Sequence, residues 1–250
     1  MAKILNGQTA LVTGASRGIG RVIATRLAND GVEVLVHYGS SRREADALVQ
    51  HIVGEGGHAR AIQADLSTAE GTEQLGAATI KQLNGRRLDI LVNNAGVAEF
   101  VPLAESDAAV LDRQYAVNVR APFLLTRALA GHLGDNARVV FLSSLVADNY
   151  FAGIPAYSLT KGAVNTLVRH LAAEWGGRGI RVNAVAPGVI ETDMSDWVRS
   201  DEGAQNALSM QALQRIGQPE DIAGAVAFLV GPDSGWITGQ IIGASGGSKL

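Results

Sequence analysis

The stretch Leu11-Val12-Thr13-Gly14-Ala15-Ser16-Arg17-Gly18-Ile19-Gly20 continues an apolar run, turns on glycines, and leads into a helical pattern. That order has a physical use. Glycines permit a tight turn and let backbone come close to a ligand. The free N–H groups and positive dipole end of the helix that follows attract an anion such as a pyrophosphate. The spacing is G-x-x-x-G-x-G, which departs from the commoner G-x-G-x-x-G of dinucleotide sites. A tight turn with no ligand would need the same glycines, so the rest of the chain has to decide between the two.

The alternation continues outward from this turn. Apolar, β-rich runs lie at 9–13, 32–37, 58–65, 88–94, 137–144, 180–187 and 239–244. Helical patterns lie between them near 18–30, 42–54, 68–83, 107–131, 155–176 and 219–230. Continuous apolar strands separated by helices read as a parallel sheet covered on both faces. No linker, repeat or low-complexity tract interrupts the pattern, so residues 1–250 read as one domain. Only 188–216 lacks a clear period. It holds Trp197 and Met210 among charges. It reads either as a surface flap over a ligand or as an irregular loop with a short helix.

Composition narrows the function. Hydrophobic residues make up 47% and charged residues 18% of 250, which excludes an intrinsically disordered chain. The net charge of -3 leaves no basic field for nucleic acid as the main partner. No cysteine is present, which removes disulfides, thiolate metal sites and cysteine nucleophiles. The opening MAKILNG is too short for a signal peptide, and no uncharged apolar run approaches the ~18 residues of a spanning helix. A soluble cytoplasmic protein with no membrane partner is the expectation. The five histidines, His37, His51, His58, His132 and His170, have no metal-ligand spacing and read as surface or edge residues. No metal site is expected.

The end of the second strand bears on the ligand. An NAD site presents an acid there to the ribose 2′-hydroxyl, about 20 residues after the glycines. This chain has Tyr38-Gly39-Ser40-Ser41-Arg42-Arg43 instead. A carboxylate would repel a 2′-phosphate, whereas hydroxyls and guanidinium groups would hold one. Arg17, inside the turn, points the same way. NADP is therefore expected over NAD, although Arg42 and Arg43 also fit a solvated helix start.

Tyr157 and Lys161 stand four apart early in a helix that begins after Pro155, and so share one helix face. A free tyrosine has a pKa of ~10 and is a poor acid–base catalyst at neutral pH; a neighbouring ammonium favours the phenolate. Such pairs are common by chance and mark nothing alone. Two features add weight. Ser143-Ser144 closes the fifth strand, and Asn93-Asn94-Ala95-Gly96 closes the fourth. Both lie at the carboxyl edge of the sheet, where open α/β folds bind ligands.

T-G-x-x-x-G-x-G, N-N-A-G and S…Y-x-x-x-K, in this order, resemble the short-chain dehydrogenase/reductase family. The resemblance covers essentially the whole chain, including Asp65-Leu66, Asn118 and Pro187-Gly188. It implies a Rossmann-type doubly wound α/β fold with a seven-stranded parallel sheet. It also implies roles. The turn Gly14, Ser16, Arg17, Gly18, Ile19 and Gly20 would cradle the pyrophosphate. Tyr38, Ser40, Ser41 and Arg42 would face the adenosine ribose phosphate. Asp65 and Leu66 would flank the adenine, and Asn93, Ala95 and Gly96 would shape the cleft. Tyr157 would be the general acid of carbonyl reduction, with Lys161 holding the nicotinamide ribose and depressing the tyrosine pKa. Ser144 would orient the substrate carbonyl, and Asn118 would tie its helix to a water leading protons toward Lys161. Pro187, Gly188, Ile190 and Thr192 resemble the segment that grips the carboxamide.

The implied activity is NADPH-dependent reduction of a ketone or aldehyde. A 3-oxoacyl-(acyl-carrier-protein) reductase and a catalytically silent NADP-binding module are the alternatives. An enoyl reductase relative fits less well, because that branch places its tyrosine and lysine farther apart. Val97, Phe100, Leu145, Phe151, Ile154, Val189, Met194 and Trp197 suggest an apolar or aromatic substrate. Relatives often carry an aspartate where Ala244-Ser245-Gly246-Gly247 stands, which leaves oligomer contacts in doubt. A homodimer or homotetramer through helices 107–131 and 155–176 is expected.

Overall fold

The computed structural model describes residues 5–250, so the first four residues of the opening stretch lie outside it. Seven parallel strands form one sheet in the order β3-β2-β1-β4-β5-β6-β7. They are β1 (Thr9–Val12), β2 (Glu33–Tyr38), β3 (His58–Gln63), β4 (Leu88–Asn93), β5 (Leu133–Leu142), β6 (Arg181–Pro187) and β7 (Ile241–Ala244). The helices are α1 (Gly18–Asn29), α2 (Arg42–Gly54), α3 (Ala69–Leu83), α4 (Ala108–Tyr115), α5 (Ala121–Leu129), α6 (Pro155–Trp175), α7 (Asp201–Ser209) and α8 (Pro219–Val230). This is the expected doubly wound, Rossmann-type arrangement.

The period of two in each strand divides the core. Ala10 and Val12 of β1 pack with Ile23, Leu27, Leu48, Ile222 and Val226, under α1, α2 and α8. Leu11, between them, packs with Leu75, Leu125, Val164 and Val168, under α3, α5 and α6. Both faces of the sheet are therefore dry, which is why its strands read as unbroken apolar runs. Val12 pairs with Val36 on one side and with Val92 on the other. That register brings the ends of β1, β2 and β4 to one level, and the strand order reverses at β1. A crevice at such a reversal is where doubly wound sheets bind ligands.

Local chemistry sets the helix starts. Thr68 caps α3 by accepting from the Gly71 N–H at 2.9 Å, and Asp107 caps α4 by accepting from Val110 at 2.8 Å. Pro155 opens α6, where its missing N–H costs nothing. The pattern over 107–131 predicts one helix, but the structure breaks it into α4, a widened π-type turn at Ala116–Arg120, and α5. Pro122 explains the break. It cannot donate to the Asn118 carbonyl four residues back, and its ring crowds that position. The turn so made carries Asn118. Region 188–216 is neither fully irregular nor one helix: a short 3-10 segment, Asp193–Arg199, is followed by α7.

Candidate active site

A cleft of about 1200 Å³ runs along the carboxyl ends of the strands. Its floor comes from the residues that follow β1, β2, β3, β4, β5 and β6. Gly14 (φ +61°) and Gly18 (φ +54°) turn the chain in the left-handed region. A Cβ on Gly14 would lie 2.9 Å from the Ala95 Cα. The turn and the N-N-A-G segment thus touch with no room for a side chain. The same glycines present α1, which starts at Gly18 with a positive dipole end and no acidic residue in its first turn. Asn94 holds the turn from behind: its Nδ2 donates to the Thr13 carbonyl at 2.8 Å and the Gly14 carbonyl at 3.1 Å. Thr13 Oγ1 accepts in return from the Asn94 and Ala95 amides, at 2.9 and 3.0 Å.

At the β2 end, the cleft is lined by His37, Gly39, Ser40 and Ser41, and across from them by Asp65, Leu66 and Ser67. No carboxylate stands on the β2 side. Asp65 is occupied, because it accepts from the Ser67 N–H at 2.9 Å, and this bond holds its pKa below the usual range. Arg17 lies on the cleft wall, its guanidinium 3.4 Å from Asp193. These residues fit a dinucleotide with a 2′-phosphate: a close-approach glycine cradle, hydroxyls and a guanidinium, with no acid among Gly39, Ser40 and Ser41 at the end of β2.

Four expected positions do not line the cleft. Tyr38 alternates onto the α1/α2 face and is buried in that core. Asn93 shares the parity of Leu91, and so faces α5, donating from Nδ2 to Thr126 Oγ1 at 3.2 Å. Arg42 opens α2 and pairs with Asp46 at 3.5 Å in open solvent. Asn118 sits behind the wall, bonded to Val97 and Thr160. His37, read from the sequence as a surface or edge residue, is buried: its Nδ1 accepts from the Gly14 N–H at 3.0 Å, and burial pushes its pKa down to about 4. The signal available was its place in the apolar run Val34–Tyr38, at the level of the glycine turn. Thr13 and Asn94 were legible only as parts of motifs.

Ser144, Tyr157 and Lys161 meet at the centre of the cleft. The Ser144 hydroxyl beside the phenol of Tyr157 draws its pKa down. Burial is the larger effect and pushes it up to about 12. Lys161 is buried. Its Nζ lies 5.5 Å from the Tyr157 ring centroid and donates to the Leu142 carbonyl at 2.8 Å. Burial lowers its pKa to about 8. The depression of the tyrosine pKa by the lysine that the sequence leads one to expect does not appear: burial dominates, and low polarity disfavours both charged forms.

Two supports fix this trio. Asn118 accepts from the Val97 N–H at 2.9 Å, and donates to the Val97 carbonyl at 2.8 Å and to Thr160 at 3.1 Å. It thereby binds the segment after β4 to α6, one residue before Lys161. Gly96 lets this happen: a Cβ there would meet Asn118 Oδ1 at 3.2 Å and the Lys161 Nζ at 3.5 Å. On the far side, Ser143 Oγ donates to Asn165 Oδ1 at 2.6 Å. Asn165 follows Tyr157 and Lys161 at four-residue intervals on the same face of α6. The end of β5 is thereby pinned to α6. Pro187, Gly188, Ile190 and Thr192 also line the cleft, and the Gly188 N–H donates to Ala244 at 3.2 Å.

A family model described as enoyl-(acyl carrier protein) reductase matches residues 14–249. An uncharacterized oxidoreductase of Methylorubrum extorquens is 44% identical, over 98% of this chain and 99% of its own. Versicolorin reductase 1 of Aspergillus parasiticus is 38% identical, over 98% and 97%. Among solved structures, an angucycline C-6 ketoreductase crystallised with bound NADP superposes with a TM-score of 0.95 at 35% identity, covering 100% of this chain and 98% of its own. The chain belongs to the short-chain dehydrogenase/reductase family and is one of its oxidoreductases.

Proposed function

We propose that this protein is an NADP-dependent carbonyl reductase that converts an apolar or aromatic ketone to an alcohol, reversibly, with Tyr157 as general acid. The observation that carries the reading is the gathering of Ser144, Tyr157 and buried Lys161, its Nζ 5.5 Å from the tyrosine ring, in one cleft floored by the glycine turn. NADP is the cofactor, as in the ketoreductase of similar structure, and its reduced form would supply the hydride. The protein's own residues do the rest. The glycine turn and the α1 dipole bind the pyrophosphate. Ser40, Ser41 and Arg17 take the 2′-phosphate. Ser144 donates to the substrate oxygen and orients it. Tyr157 delivers a proton to that oxygen as negative charge develops there. Lys161, fixed by Leu142, supports the tyrosinate left behind.

The enoyl wording of the family model suggests a carbon–carbon double bond as substrate. The four-residue Tyr157–Lys161 spacing and the hydroxyl of Ser144 favour a carbonyl instead, because both hydroxyls meet where one oxygen would accept from them. The apolar wall, with Phe100, Phe151, Met194 and Trp197, favours an aromatic ketone over an acyl-carrier thioester. The flap 188–216 forms part of that wall, within one catalytic domain. Exposed Leu111, Tyr115, Phe123 and Leu159 on α4, α5 and α6 support assembly as a dimer or tetramer; a monomer in analytical ultracentrifugation at micromolar concentration would refute it. A cysteine-free chain suits a cytoplasmic location.

Loss of NADPH absorbance with a panel of aryl ketones, set beside acetoacetyl thioesters, tests the function. Turnover of the ketones is expected. Turnover of thioesters alone would move the assignment to the acyl-thioester class, and no turnover of either would overturn it.

A further inference from the structure

The substrate half of the cleft contains one charged side chain that the proposed reaction does not use. The charged residues that line the cleft are Arg17, Asp65, Lys161, Asp193 and Lys249. Arg17 and Asp193 pair with each other, Asp65 holds the Ser67 amide, and Lys161 belongs to the catalytic trio. Lys249 is left. Its Nζ lies 5.3 Å from the ring centroid of Phe151, on the apolar wall. Among the described residues it makes no ion pair.

Its backbone is held against that wall. The Lys249 N–H donates to the carbonyl of Met210, in the flap, at 2.8 Å. The Ala212 and Leu213 amides donate to the Gly247 and Gly246 carbonyls, at 3.2 and 2.9 Å. Gly247 has φ +74°, and a Cβ on it would lie 2.8 Å from the Ala212 side chain. Segment 246–249 is therefore stitched to the flap, and the lysine is presented to the cleft by a fixed chain. A cation that rests on an aromatic face, with no carboxylate partner and an apolar cavity beside it, attracts an anion more strongly than a neutral acceptor of the same shape.

We propose that Lys249 sets substrate preference by selecting ketones that carry an anionic group, a carboxylate or an ionised phenol, away from the reacting carbonyl. The inference rests on the carbonyl-reductase reading and adds to it the charge of the substrate. A purely structural role for Lys249, clamping Phe151, would change all ketones alike.

The test is the ratio of kcat/KM for a carboxylate-bearing aryl ketone to that for its carboxamide, measured in the full-length enzyme with NADPH. The wild-type ratio is expected to fall as salt rises, because the contact is near the surface. K249Q should lower the ratio by about fivefold, the scale of one exposed ion pair. K249E should lower it further, and K249R should keep it. A ratio that neither K249Q nor K249E moves overturns this inference while leaving carbonyl reduction intact. Reduction of neither ketone overturns both.

Discussion

The backbone amide of Gly14 donates to Nδ1 of His37 at 3.0 Å, while the opposite ring nitrogen lies 3.2 Å from the Ala64 carbonyl. One imidazole thus joins the glycine turn after β1 to the ends of β2 and β3. It can do so only as the neutral ring, with Nδ1 accepting and the Nε2 proton donated to Ala64. Burial pushes its pKa from 6.5 down to about 4.

A pH dependence of stability follows. The folded pKa lies below the unfolded one, so the stability that comes from keeping His37 neutral is complete above about pH 6.5. It is lost as pH falls toward 4, and the loss amounts to about 3 kcal/mol. Thermal melts between pH 7 and 4 should show a steep fall in the wild type and a shallower one in His37→Asn. Equal slopes would contradict this role.

Removing the acid should separate binding from chemistry. Tyr157→Phe keeps the ring and loses the proton. Turnover should fall by at least about a hundredfold, the scale of one general acid, while fluorescence titration still shows NADPH binding. A variant with near-normal kcat would mean that another group protonates the product.

The pH profile of reduction should be governed by Lys161 before Tyr157. The phenol stays protonated until about 12, and the ammonium loses its proton near 8. Steady-state kcat/KM for ketone reduction is expected to hold a plateau through neutral pH and bend down from about pH 8. A plateau that continues to the upper end of the enzyme's stable range would show that the charge on Lys161 does not matter to the step.

Cofactor choice should turn on the β2 end. Ser40→Asp places a carboxylate where the 2′-phosphate is expected. The KM for NADPH should rise tenfold or more, equivalent to about 1.4 kcal/mol, and that for NADH should rise far less. An unchanged ratio of the two would move the phosphate site elsewhere.

The sequence alone determined the sheet, most of its covering helices and the motif ends, because two dry faces force unbroken apolar strands and glycine turns force short, recognisable spacings. It also determined which residue types meet at the carboxyl edge, since the glycine turn, Asp65-Leu66, N-N-A-G, Ser143-Ser144 and Pro187-Gly188 each fall at a strand end. Tertiary structure alone decided which neighbour turns inward. Asn94 faces the cleft and Asn93 does not, and His37 does while Tyr38 does not, because the alternation of a strand assigns sides only once its register and its cover are fixed. The break at Ala116–Arg120 had a local mark in Pro122, whereas the buried bond of Lys161 to Leu142 and the stitching of 246–249 to the flap were equally out of reach. Both of these depend on contacts between residues far apart in the chain, and local propensity carries no record of those.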